Sequence, residues 1–256
     1  MQTKYLTSLL MFLVQVLINS VIAQKPDPYQ QSFKCNNIGD LKSDALVKSR
    51  DNAFYYLIHH MGIIDPYNGY AYGNGYGMYS IGLCPPNIKK KSCLECLNNT
   101  IPYLKKNCPK QKEGVAWTTS LSQVSCIVRY ADYSINRTLS DWAWIVFSSP
   151  PNESFGNAVD LEKGVNDLAN KLKERAVGGG EDIKFAFGFI TYKSGSHSLY
   201  GSMQCTPTID RGECTKCLSK AINEIHNCCS KVRKLSARAM STNCYFQYAH
   251  YDFTFS

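Results

Sequence analysis

Cys84, Cys93, Cys96 and Cys108 return 121 residues later as Cys205, Cys214, Cys217 and Cys229. Four cysteines at one offset make the chain an internal duplication, and a period this long marks two copies of a domain rather than a solenoid repeat. The repeated unit reads C-x8-C-x2-C, as CPPNIKKKSCLEC in the first copy and CTPTIDRGECTKC in the second. A C-x-x-C pair taken alone is compatible with a zinc half-site, a redox motif or two unrelated disulfide halves.

The chain start narrows this choice. MQTKYLTSLLMFLVQVLINSVIAQ has one basic residue, Lys4, then an apolar stretch, then Val21-Ile22-Ala23. That pattern predicts a secretory signal peptide over residues 1–23, cut after Ala23. Gln15, Asn19 and Ser20 interrupt the apolar stretch, leaving it short of the roughly 20 residues that cross a bilayer. No second apolar stretch of that length follows, so the reading is a secreted, extracellular protein without a membrane span. Twelve cysteines in an oxidising compartment are disulfide partners before they are metal or redox groups, and no metal or cofactor is expected. Asn98, Asn136 and Asn152 head N-x-S/T sequons that secretion makes usable for glycosylation.

The formal charge of +8 falls to about +7 once Lys4 leaves with the signal. Its basic residues gather in short runs such as Lys89-Lys90-Lys91 and Lys231-Val232-Arg233-Lys234, which read as solvated faces or as contacts to acidic surfaces. Nucleic acid is not an expected partner outside a cell.

Both copies carry the same pattern of elements. Leu46, Ala53, Leu57 and Met61 line one side of a helix in the first, and Leu161, Val165, Leu168, Leu172 and Ala176 do so in the second. A second helix follows each cysteine triplet, through Leu97, Ile101 and Leu104, and through Leu218, Ala221 and Ile225. Strand-like runs include GMYSIGLC, VAWTTSLSQVSCIVRYADY, KFAFGFITY, SLYGSMQC and ARAMSTNCYFQYAHYDF. The fold class is therefore α+β, two tandem disulfide-stapled domains with two helices packed on an antiparallel sheet in each. The expected boundaries are residues 28–134 and 153–254, with a linker at 135–152. Cys93 and Cys96, three apart on a helix, point along it and should bond different partners.

The triplet, the cysteine twelve residues later and the aromatic strand CIVRY together resemble the ginkbilobin-homologous, or stress-antifungal, domain of plants. Two such domains behind a signal peptide resemble the cysteine-rich repeat secretory proteins. The same tandem occurs in cysteine-rich receptor-like kinases and plasmodesmata-located proteins, which also need a membrane span. Six cysteines permit fifteen pairings; the resemblance implies Cys35 with Cys108, Cys84 with Cys93, and Cys96 with Cys126. Carried to the second copy it implies Cys205 with Cys214 and Cys217 with Cys244. At the fixed offset the place of Cys35 holds Gly156, so Cys228 and Cys229 are left to bond each other, stay reduced or join another chain. A vicinal bridge is the expectation, because free thiols are disfavoured in this compartment.

The resemblance also implies a mannose site made of an Asn after the first cysteine, an Arg six before the last and a Glu five after it. Asn36 matches in the first copy, but Ser120 and Ala131 stand at the other places. In the second copy Asn157 sits at the offset of Asn36 and Arg238 matches, but Ala249 replaces the acid. Neither set is complete, so mannose binding in that manner is not expected; Asn36, Asn157 and Arg238 remain carbohydrate-site candidates.

None of the five histidines stands in an H-x-x-x-H or H-E-x-x-H pattern, and no nucleophile elbow or phosphate loop occurs. Tyr55, Tyr56, Tyr67, Tyr70, Tyr72, Tyr76 and Tyr79, interleaved with glycines, suit either an aromatic recognition surface or ordinary strand packing. The functional expectation is a non-enzymatic interaction protein of the plant apoplast that recognises an extracellular protein or a cell-wall glycan. The alternative is a mannose-binding, lectin-like antifungal protein.

Overall fold

The structure, a computed structural model, describes residues 29–120, 125–150, 158–180, 183–192, 197–229 and 234–253. The expected signal peptide lies outside the described residues. The first copy runs β1 (Tyr29–Asp40), α1 (Asp44–Ile63), β2 (Tyr70–Asn74), β3 (Tyr79–Leu83), α2 (Lys90–Asn107), β4 (Gln111–Ser120) and β5 (Ser125–Ala131). The second repeats that order as β6 (Trp144–Ser148), α3 (Ala158–Val177), β7 (Lys184–Tyr192), β8 (His197–Cys205), α4 (Arg211–Cys229), β9 (Ser236–Ser241) and β10 (Cys244–Ala249).

Each copy folds into a five-stranded antiparallel sheet, ordered β1-β4-β5-β3-β2 in the first and β6-β9-β10-β8-β7 in the second. The α+β class with two helices on each sheet is thus what forms. Residues 144–148, inside the expected linker, are β6, an edge strand of the second sheet paired with β9 from Trp144 opposite Ser241 to Ser148 opposite Ala237. Strands β1, β2 and β6 have no counterpart among the strand-like runs; all three are edge strands, although β7, the fourth edge, is legible as KFAFGFITY.

Local chemistry sets the helix starts. Ser43 caps α1 with its Oγ accepting from Leu46 N at 3.4 Å. Asp210 and Glu213 form a reciprocal box at the start of α4: Glu213 N donates to Asp210 Oδ1 at 2.7 Å and Asp210 N to Glu213 Oε2 at 3.2 Å. The glycines among the tyrosines have a packing reason, since a side chain at Gly73 or Gly75 would strike the α1 backbone at Ala53 or Ser49. Their absence of a Cβ lets the β2–β3 hairpin lie directly on the helix.

Strand alternation is used on both faces. On β4 and β5, Ala116, Cys126, Val128 and Tyr130 join Leu57, Leu97 and Leu104 in a core beneath the helices. Their neighbours Val115, Trp117, Ile127 and Ala131 join Ile81 and Leu83 in a separate cluster that includes Met240 and Tyr245 of the second sheet. The second sheet has its own helix-side core around Leu168, Leu172, Leu218 and Phe246. The sheets therefore stand back to back, with helices outside and a third apolar cluster between them. Trp117 Nε1 donates to Ser241 O at 2.7 Å and Gln204 Nε2 to Cys84 O at 2.9 Å, both buried and both crossing between the copies.

Candidate functional site

Six disulfides fasten this scaffold. In the first copy they join Cys35 to Cys108, Cys84 to Cys93 and Cys96 to Cys126, with Cα separations of 5.6, 5.9 and 6.1 Å. In the second they join Cys205 to Cys214, Cys217 to Cys244 and the neighbours Cys228 and Cys229. No free cysteine occurs among the described residues, and no cluster of three or more His, Cys, Asp or Glu side chains is placed to hold a metal there.

Asn36 is already engaged by the protein. Its Nδ2 donates to Glu113 Oε2 at 2.7 Å. Glu113 and Arg129 are fully buried, and Oε1 of Glu113 accepts from Arg129 Nε at 2.9 Å, Arg129 Nη2 at 2.6 Å and Trp142 Nε1 at 2.8 Å. Arg129 Nη2 also donates to the Tyr133 hydroxyl at 3.0 Å. The register sets Glu113 opposite both Asn36 and Ala131. Ser120 lies seven residues further along β4, opposite Tyr29, a distance of roughly 24 Å at strand rise. The three positions of the implied first-copy site do not converge.

Register also corrects the equivalence between copies. The residue three after the last cysteine faces Val115 in the first copy, as Arg129, and faces Arg238 in the second, as Gln247. Arg238 thus corresponds to Val115, not to Ser120, because the β4–β5 connection is longer than the β9–β10 connection and counting back from the cysteine crosses it. Each copy carries one guanidinium at the same cross-strand pair, on β5 in the first and on β9 in the second. The first is neutralised by Glu113; the second has no such partner among the described residues.

Arg238 and Ala249 line one cleft of about 320 Å³ at the edge of the sheet-to-sheet contact. Gln30 and Thr119 of the first copy contribute to its wall, as do Phe147, Gln247, Tyr251 and Phe253. Phe253 is held edge-on to Phe187 with ring centres 5.4 Å apart, whereas Tyr251 is half exposed. The described lining residues include no aspartate or glutamate. Nε of Arg238 and Oε1 of Gln247 are buried without a hydrogen-bond partner. Burial lowers the Arg238 pKa to about 10, and the Tyr245 and Tyr251 hydroxyls act against that shift. The group remains cationic through the physiological range. Asn157 lies outside the described residues, so no geometry joins it to Arg238.

The tyrosine segment divides between its two readings. Tyr70 is buried between the sheets and Tyr72 stacks on Tyr79 at 6.0 Å, while Tyr55, Tyr56 and Tyr76 are exposed. Of the sequons, Asn98 is exposed on α2, Asn136 is half-buried and Asn152 lies outside the described residues. Among the described residues no helix is long and apolar enough to cross a membrane. The Glu113–Arg129 pair and the cleft were not anticipated; the arginine of CIVRY was the available signal, but nothing in its spacing pointed to Glu113.

A family model described as salt stress response/antifungal matches residues 21–133 and again residues 150–251, and the chain belongs to that family. It is 26% identical over 246 residues to Cysteine-rich repeat secretory protein 38 of Arabidopsis thaliana, covering 94% of this chain and 92% of that one. It is 30% identical over 183 residues to Cysteine-rich receptor-like protein kinase 29 of the same plant, covering 70% of this chain. The chain spans about a quarter of the length of the receptor-like kinases it matches. The fold is that of the tandem DUF26 ectodomain of the Arabidopsis thaliana cysteine-rich receptor-like protein PDLP5, with a TM-score of 0.61 at 16% identity over 86% of this chain and 98% of that one. The protein is a secreted, extracellular member of this family.

Proposed function

We propose that this protein recognises a cell-wall component or a protein partner in the plant apoplast and performs no catalysis. The observation that supports it is the cleft at Arg238, an uncompensated guanidinium among aromatic side chains at the edge of two packed sheets. Arg238 is half-buried and its Nε is buried without a hydrogen-bond partner; an unmatched donor on a cation at a cleft is what a ligand can complete. Arg238 and Gln247 stand on the paired strands β9 and β10, which favours recognition by a preformed surface. Among the described lining residues no nucleophile is hydrogen-bonded to a general base. The mannose reading is the weaker one, since Ala249 brings no carboxylate to the same cleft. We further propose glycosylation at the exposed Asn98, and domain limits of residues 28–134 and, since β6 pairs with β9 in the second sheet, residues 144–254 in place of 153–254.

The test is a glycan array and a wall-extract pull-down, run in parallel on the secreted, oxidised protein and on Arg238→Gln. Retention by either that weakens in the variant supports the reading. Retention by neither, with an intact fold, overturns it.

A further inference from the structure

Resting on that recognition reading, we infer that the Arg238 cleft takes a carboxylate-bearing saccharide, a uronate, rather than a neutral sugar. Three observations narrow the ligand. The first is charge. Arg238 is the cation of the cleft, and its described lining residues carry no acid to neutralise it, in contrast to Arg129, which Glu113 neutralises at the equivalent cross-strand pair. An anion from outside does for Arg238 what Glu113 does for Arg129. One guanidinium, with no second cation among the described lining residues, suits the single charge of a carboxylate better than a dianionic phosphate, and its planar fork matches a carboxylate in two-point fashion.

The second observation is the unmatched acceptor beside it. Oε1 of Gln247, directly across the strand pair, has no donor. A ligand that satisfies both side chains must offer an anionic acceptor and, close by, a hydroxyl donor. A uronate has both on one ring, the carboxylate on the exocyclic carbon and the hydroxyls on its neighbours. A phosphate dianion has no donor, and a neutral hexose has no charge.

The third is shape. Phe147, Tyr251 and Phe253 line the cleft with apolar ring surface, which suits the C–H face of a sugar ring, and Ser148 contributes a hydroxyl. Its volume of about 320 Å³ is within the usual range for small-ligand sites. A pyranose with one neighbour fits that space.

The test is calorimetric titration of the secreted, oxidised full chain at pH 6 with a short oligogalacturonate, its fully methyl-esterified form and mannobiose. The acid form should bind, with affinity falling as salt rises, and the ester should bind roughly tenfold to hundredfold more weakly, the usual range for losing hydrogen bonds to a charged group. Arg238→Gln should show the same loss while keeping its disulfide map and its melting transition. Ala249→Glu provides a variant that leaves Arg238 in place: an internal carboxylate on the same cleft should neutralise the guanidinium and abolish uronate binding. Equal binding of acid and ester, or unchanged binding by a folded Arg238→Gln or Ala249→Glu protein, overturns the inference. If the protein binds a neutral oligosaccharide or a wall protein through this cleft but not the uronate, the inference fails and the recognition reading stands. If it binds nothing in either assay while remaining folded, both fail.

Discussion

The indole nitrogen of Trp117 donates to the main-chain carbonyl of Ser241 at 2.7 Å, inside the seam between the two sheets. Trp117 has no solvent exposure, so the bond and the ring it anchors hold the copies together where water cannot compete. Trp117→Phe should keep most of the packing and cost about 1–3 kcal/mol for the unmatched carbonyl. Trp117→Ala should cost about 3–5 kcal/mol and loosen the seam as well. Differential scanning calorimetry checks this: one transition in the wild type and in Trp117→Phe, two in Trp117→Ala.

A second consequence concerns Glu113. Its carboxylate receives Arg129, Trp142 and Asn36 in a site where both charged side chains are fully buried. Removing one partner of a buried pair strands the other charge, a loss of roughly 3–5 kcal/mol. Glu113→Gln should therefore unfold at markedly lower denaturant concentration than wild type. The double variant Glu113→Gln with Arg129→Met should recover part of the loss, because no charge is then left unpaired. Urea titrations of the three proteins decide it.

The disulfides of the two copies should differ in worth. Cys35–Cys108 closes a separation of 73 residues, and restricting an unfolded loop of that size contributes about 4 kcal/mol. Cys228–Cys229 spans a sequence separation of 1 and closes no chain loop. Replacing Cys35 and Cys108 with Ala should destabilise the protein severely, while replacing Cys228 and Cys229 with Ser should leave its denaturation midpoint nearly unchanged. Mapping of unreduced peptides provides the control that the remaining bridges are in place.

His250 makes stability depend on pH. Burial, with a smaller contribution from His197, lowers its pKa from 6.5 to about 4. Between those values the unfolded chain holds a proton that the native protein does not, so stability falls as pH drops from 6.5 toward 4 and is level above 6.5 on this account. His250→Asn should flatten that slope. Solvent access to the ring makes the effect smaller than the full shift would imply. Thermal melts at half-unit pH steps on both proteins test the sign.

The duplication, the α+β class and the pairing of helices with antiparallel strands were readable from the chain, because cysteine offsets and apolar periods of two and about four are local properties. Strand β7 was legible as KFAFGFITY, whose length and composition need no partner to be recognised. By contrast, β6 falls within the expected linker, since its five residues, WIVFS, are too short a run to stand out without the β9 pairing that makes it a strand. Asn36 stands out in the sequence by its position after Cys35, yet its partner Glu113 lies 77 residues away, and only strand register brings them together. Counting from Cys126 and Cys244 paired Ser120 with Arg238, where the sheet pairs Val115 with Arg238, because a cysteine offset cannot see a change in turn length. Residue order determined which faces were apolar and which groups could bridge or carry charge. Tertiary structure alone decided that the second face of each sheet meets its twin, leaving Arg129 paired and Arg238 open, because charge compensation depends on distances across strands and domains.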